Sequence, residues 1–165
     1  MNLMKIEIRR AVHEDAPNII HAHKRSIREL CSKDCTAEQI ATWSELVSQE
    51  THWHQDIDQD LVWVISDEQN RIFGFGHLQF YENQGAELAG LYFVPEVVGK
   101  GNGKKIVQLM LHECQKRKIQ KIELSATKTA KVFYERIGFK QMGPMTEIKI
   151  GGKSIECFRM QMILN

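Results

Sequence analysis

Between Leu61 and Val94 the chain leaves no room for anything but a meander. Leu61–Ser66, Ile72–Tyr81 and Ala86–Val94 are strand-like runs, and only the turn compositions Asp67–Asn70 and Glu82–Gly85 stand between them. A parallel pair needs a crossover of a dozen or more residues, so three strands joined this tightly must pair antiparallel. The flanks have the helical period. Asp15 and Pro17 open a helix with Ala16, Ile19, Ile20, Ile27 and Leu30 on one face, and Thr36 with Gln39 makes a capping box that starts a second helix through Ile40, Trp43 and Val47. Thr51–Ile57 adds a helical turn, and Lys5–Arg10 alternates as a first strand.

After the meander, Gly103–Lys118 reads as a helix, Lys121–Ala126 as a strand and Lys128–Ile137 as a helix stopped by Gly138. Glu147–Ile150 and Ser154–Ile163 are strands joined by Gly151-Gly152, a dipeptide suited to the positive φ angles of a hairpin turn. The order β, α, α, β, β, β, α, β, α, β, β predicts an α/β (α+β) fold with a mixed, mainly antiparallel sheet flanked by about four helices. At 165 residues with no repeat or linker, residues 1–165 are expected to form a single domain.

Composition narrows the function. Lys and Arg number 22 against 21 Asp and Glu, a net charge of +1, so the basic excess that carries nonspecific nucleic-acid binding is missing. No apolar run approaches the ~20 residues that span a bilayer. Met1–Arg10 alternates apolar and charged residues without a signal core, which together with four cysteines outside any C-x-x-C spacing leads to the expectation of a cytoplasmic protein with free thiols.

Val98-Gly99-Lys100-Gly101-Asn102-Gly103-Lys104-Lys105 lies between a strand and a helix, where backbone N–H groups converge and the helix dipole favours an anion. Three lysines there sit at the wrong end of a helix for a cation unless an anion lies among them, which points to a polyanionic ligand. A Walker loop would need Gly at position 98 and Ser or Thr at 105, where Val98 and Lys105 stand; a dinucleotide fingerprint starting at Gly99 would need a small residue in place of Lys104. ATP and NAD are poor fits.

Leu91-Tyr92-Phe93-Val94-Pro95 followed by Gly99-Lys100-Gly101-Asn102-Gly103 resembles motif A of the GNAT superfamily of acetyl-CoA-dependent N-acetyltransferases, and Leu124-Ser125-Ala126, Ala130, Phe133-Tyr134-Glu135 and Gly138-Phe139 resemble its motif B. Val98 and Asn102 depart from the family's usual Gln or Arg and apolar residue. The resemblance implies that the pantetheine arm of acetyl-CoA pairs with backbone at Phe93 and Val94, that the pyrophosphate meets Gly99, Lys100, Gly101, Asn102, Gly103 and Lys104, and that a backbone N–H near Val94 holds the oxyanion. It also implies direct transfer to a primary amine in a ternary complex, with Tyr134 serving the departing thiolate. Glu87, on the strand leading into the loop, stands where some family members carry a glutamate base. A noncatalytic acyl-CoA-binding module is the alternative.

His77 and Gln79 share a strand face with Phe73, Phe75 and Tyr81, so His77 is an alternative base or a structural histidine. His21 with His23 and His52 with His54 have no acidic or cysteine partner at a metal-like spacing and read as surface histidines; no metal is expected. Cys31 and Cys35 lack a third ligand, and Cys114 and Cys157 read as core positions, which disfavours an acyl-enzyme. The acceptor pocket is expected from the first two helices around Arg28–Trp43, from Tyr81 and Glu82, and from the Gly151-Gly152 hairpin. The sequence leaves a homodimer open.

Overall fold

The computed structural model describes residues 4–47 and 49–165, so Met1 to Leu3 of the N-terminal reading lie outside the described residues. The meander is formed by β2 (Leu61–Asp67), β3 (Ile72–Phe80) and β4 (Gly85–Phe93), each antiparallel to the next, with β1 (Ile6–Arg10) antiparallel to β2. After the glycine loop come α4 (Asn102–Lys116), β5 (Lys121–Ala126) and α5 (Lys128–Ile137), then β6 (Lys140–Gln141), β7 (Thr146–Ile150) and β8 (Lys153–Ile163). The sheet runs β1-β2-β3-β4-β5-β8-β6, with β7 paired to β8 beside it; β4 and β5 form its parallel pair, joined through α4.

Three helices precede the meander: α1 (Ala16–Leu30), α2 (Ala37–Glu45) and α3 (Glu50–Gln59). The α2 capping box is present, with Thr36 Oγ1 accepting from Gln39 N–H and Gln39 Oε1 accepting from Thr36 N–H, but the helix ends at Glu45, short of Val47. The turn expected at Thr51–Ile57 is a full helix that carries Trp53 into the core. The two-residue β6 has too little pattern for sequence reading.

Phe75 packs edge-on against His23 of α1 and Trp53 of α3, which sets these helices on one face of the sheet. On the other face lies α4. A Cβ at Gly76 would stand 2.5 Å from Ile106 and 2.8 Å from Met110, so the glycine is what lets α4 approach β3 this closely. Buried Ile19, Ile27, Val64, Leu78, Ile122 and Met160 fill the layers between.

Candidate active site

The site begins where two strands part. β4 pairs with β5 only over Gly85–Glu87 against Lys121–Glu123. Beyond that, β4 stays bound to β3 as far as Phe93 and β5 stays bound to β8 as far as Ala126, so each is held by its other neighbour and a cleft opens between them. The cleft, about 530 Å³, runs from Leu88–Phe93 on one wall to Ser125–Thr127 on the other and reaches Trp43 and Ile148. Along it β4 offers an unpaired edge to which an extended ligand can hydrogen-bond. In β4, Gly90 is opposite His77 and Leu88 is opposite Leu78, so Ala89 is an extra, bulged residue at the middle of the wall.

The glycine loop closes one end. Gly99 (φ 75°) and Gly101 (φ 82°) take left-handed backbone, and a Cβ on either would meet nothing within 4 Å, so both face open space. Gly101 N-caps α4 without any side-chain cap, whereas Thr36 caps α2 and Thr127 caps α5. Among the described residues the N–H groups of Gly99 to Lys104 have no hydrogen-bond partner, which suits a cradle for an anion. Asn102 contributes more than backbone: its buried amide donates to Val97 O at 3.0 Å and latches the loop to the turn before it. Arg25 of α1 holds that turn from outside, bridging Glu29 and Glu96.

Tyr134 lines the same cleft, 6% exposed, its ring edge-on to Phe133 and Phe139. Its hydroxyl bonds to no described residue, and burial pushes the phenol above its ordinary pKa, so it is a standing hydrogen-bond donor. Phe93, Val98, Gly99, Gly101, Asn102, Gly103 and Lys104 also line the cleft; Val94 is buried just behind, and Lys100 stands exposed on the loop. Cys31 and Cys157 line it as well. Burial pushes the Cys31 thiol up to about 12, which keeps it protonated and unreactive. Asp34 ties the frame together by accepting from Thr129 N–H and Oγ1 at the start of α5.

Glu87 is placed differently from the expectation. Both its oxygens accept from Arg159 of β8 at 2.7 Å, and the same guanidinium reaches Glu123 and Ser125. A carboxylate already accepting two charge-assisted hydrogen bonds is poorly placed to take a proton, and Glu87 does not line the cleft. The structure instead builds a second cavity, about 250 Å³, on the α1 and α3 side of the sheet, sharing Ala89, Gly90 and Tyr92 with the cleft. His77 lines it, with Nε2 2.7 Å from Asp60 Oδ2, and Asp56 lies one helical turn before Asp60. At 2.7 Å the two atoms share a hydrogen bond with no room for an ion between them. His23 is no surface histidine: it lines this cavity with its ring tilted against Tyr92, 4.2 Å between centroids, and both ring nitrogens out of reach of solvent. The partner Asp60 was missed in sequence because only a helical turn was read there, although Asp56 and Asp60 are spaced i, i+4.

Residues 31–164 match the family model described as an acetyltransferase (GNAT) domain. No curated protein matches the chain. Among solved structures, the chain is similar to a GCN5-related N-acetyltransferase, aminotransferase class-II, from Rhodopseudomonas palustris, at 19% identity and TM-score 0.84 over 99% of each chain. It is also similar to PaiA N-acetyltransferase from Thermoplasma acidophilum in complex with coenzyme A, at 22% identity and TM-score 0.81 over 98% of this chain and 100% of that one. A phosphinothricin acetyltransferase from Sinorhizobium meliloti in complex with AcCoA follows at 19% identity and TM-score 0.74, over 98% and 89%. At such identities the likeness is one of fold, and it agrees with the parted strands, the uncapped α4 and the mainly antiparallel sheet. With the family model spanning most of its length, the chain belongs to the GNAT superfamily of acetyl-CoA-dependent acetyltransferases.

Proposed function

We propose that this acyltransferase moves acetyl from acetyl-CoA to a primary amine by direct attack in a ternary complex. The observation that carries the reading is the meeting of three features in one cleft: an unpaired β4 edge, an α4 N-terminus with uncapped N–H groups, and the unpartnered Tyr134 hydroxyl. In this reading the diphosphate accepts from the N–H groups of Gly99 to Lys104, the pantetheine amides pair along Phe93 and Val94, and a backbone N–H near Val94 takes the oxyanion. When the tetrahedral intermediate collapses, the thiolate accepts from Tyr134. A buried phenol with a raised pKa holds its proton tightly, so its contribution is the hydrogen bond, with the thiol completed by a proton from solvent. Glu87 has no part as base here, since Arg159 occupies both its oxygens.

The test combines binding with turnover. Acetyl-CoA should raise the melting temperature, because a ligand that prefers the folded state stabilises it by mass action, and ATP and NAD should shift it far less. Equal shifts from all three would sink the CoA assignment. Free thiol appearing with a primary amine supports transfer; binding without thiol release across an amine panel supports the noncatalytic module.

A further inference from the structure

The second cavity holds polar groups that the reaction as described above does not use. Its walls carry His77, held by Asp60 from behind, with Asp56 and Gln79, and two side chains whose buried polar atoms have no partner among the described residues, His23 and Trp53. Trp53 is 3% exposed, and its Nε1–H is out of reach of solvent and bonded to nothing among the described residues. Those atoms are closed off behind the wall, whereas the His77 imidazole, the Asp56 carboxylate and the Gln79 amide line the space itself and can meet an occupant. The cavity is also next to the chemistry: Ala89, Gly90 and Tyr92 line both it and the cleft, and His77 is the residue directly across from Gly90.

We propose that this cavity is the acceptor subsite and that His77 is the catalytic base, with Asp60 as its positioning residue. The inference rests on the transfer reading above and adds the acceptor's chemical class, a small hydrophilic primary amine bearing a hydrogen-bond acceptor. A carboxylate against Nε2 favours the tautomer with the proton there, leaving the Nδ1 lone pair free to accept. The groups facing His77 are Asp60 at the C-terminal cap of α3, Asp56 and Trp53 within that helix, His23 from α1, Tyr92 from β4 and Gln79 on its own strand. The Asp56 carboxylate on the wall, with no lysine or arginine among the lining residues and Asp60 just behind His77, favours an ammonium, and burial already holds the Asp56 carboxyl above its usual range, which an arriving cation relieves. The Gln79 side-chain amide on the wall can donate to a hydroxyl, ether or carbonyl on the same molecule. The volume lies below the ~300–1,000 Å³ of pockets for drug-sized ligands, so the acceptor is small.

The step balances with what is present. The ammonium gives one proton to His77 Nδ1, which passes it to solvent; the neutral nitrogen forms a C–N bond to the thioester carbonyl carbon. The C–S bond then breaks with its electron pair on sulfur, to which Tyr134 donates a hydrogen bond; the second N–H proton is lost to solvent, and the thiolate takes one proton from solvent.

Thiol release from acetyl-CoA is measured from pH 6 to 10 with ethanolamine and with n-propylamine, which have the same chain length, on wild type, His77→Gln and Asp60→Asn, with the acetyl-CoA melting shift recorded for each. His77→Gln should lose about 100-fold in kcat/KM at pH 7, keep the acetyl-CoA shift, and close its deficit as pH nears the amine's own pKa. Asp60→Asn should move the acidic limb of kcat/KM to lower pH, because a neutral amide cannot stabilise a protonated imidazole as the carboxylate hydrogen-bonded to Nε2 does; a merely structural role would lower activity without moving the limb. With rates referred to each amine's neutral fraction, ethanolamine should be preferred about tenfold. An unmoved limb in Asp60→Asn, a His77→Gln enzyme within threefold of wild type throughout, or equal use of the two amines would overturn the proposal. Where His77→Gln does not fold, the Asp60→Asn limb decides. Should wild type release no thiol with either amine, the indole N–H resonance of Trp53 decides: no movement on adding ethanolamine overturns the subsite, and movement keeps it. An absent acetyl-CoA shift in wild type would instead be a failure of the transfer reading.

Discussion

The Tyr134 hydroxyl is buried and without a partner among the described residues, and in the proposed reaction its hydrogen bond to the departing thiolate is made only in the transition state. Tyr134→Phe should therefore lower kcat by roughly 10- to 1000-fold while acetyl-CoA affinity stays near wild type, and a fully active variant would show that the thiolate leaves without the phenol. Glu87 and Arg159 make the opposite case. Glu87→Gln removes one side of a partly buried bidentate pair, whose remaining guanidinium keeps Glu123 and Ser125, so stability should fall by about 1–2 kcal/mol in urea unfolding while the kcat/KM pH profile keeps its position. A profile that lost its acidic limb would return the base role to Glu87. Tyr134 was legible in sequence because its motif is local. The pairing that engages Glu87 left no mark in the sequence, because Arg159 stands 72 positions away on β8, a contact created by the β4-β5-β8 order. His77 was noticed as an alternative base, but Asp60 was not, since a hydrogen bond from strand to helix leaves no periodicity to read.

At the scale of elements, the most exposed dependency is the loop that feeds α4. Gly101→Asp puts a Cβ at φ 82° and a negative charge where the uncapped N–H groups face open space, so the acetyl-CoA melting shift should vanish while the variant stays folded at a cost of about 1–2 kcal/mol. Gly103→Val acts by another route. Its Cβ would stand 2.9 Å from Phe133 and 3.4 Å from Phe93, so the wall of the cleft must move to admit it, and binding should weaken together with stability. A folded Gly101→Asp protein with wild-type affinity would refute the cradle. Elements with local signals were read almost to the residue: the Thr36–Gln39 box starts α2, Gly138 at φ 117° ends α5, and Gly151 and Gly152 at φ 55° and 77° turn β7 into β8. α3 was under-read because its apolar positions are few, Trp53 and Ile57 among charged and polar neighbours, so what fixes it is the docking of Trp53 against Phe75.

For the whole molecule, the meander and the crossover through α4 follow from linker lengths, but the parting of β4 from β5 does not, because it arises from competition: β8 holds β5 and β3 holds β4. The same long-range packing seals His23 under Phe75 and Tyr92, and burial depresses its pKa from 6.5 to about 4. That has a consequence for the pH dependence of folding. Between pH 4 and 6.5 the unfolded chain protonates this imidazole while the native protein keeps it neutral, so the unfolded state binds more protons and stability falls as pH is lowered. From pH 7.5 to pH 5 the loss should be about 2 kcal/mol by linkage at constant ionic strength. Asp15, held below its usual range by Arg9 and the Val12 N–H, has the same sign but acts later, its stabilisation lost only as pH drops below about 4. Urea unfolding at the two pH values separates the two, since Asp15 is ionised at both. His23→Phe, which cannot take up a proton, should lose most of the pH 5 deficit, and a variant that kept the full deficit would place the titrating group elsewhere in the molecule.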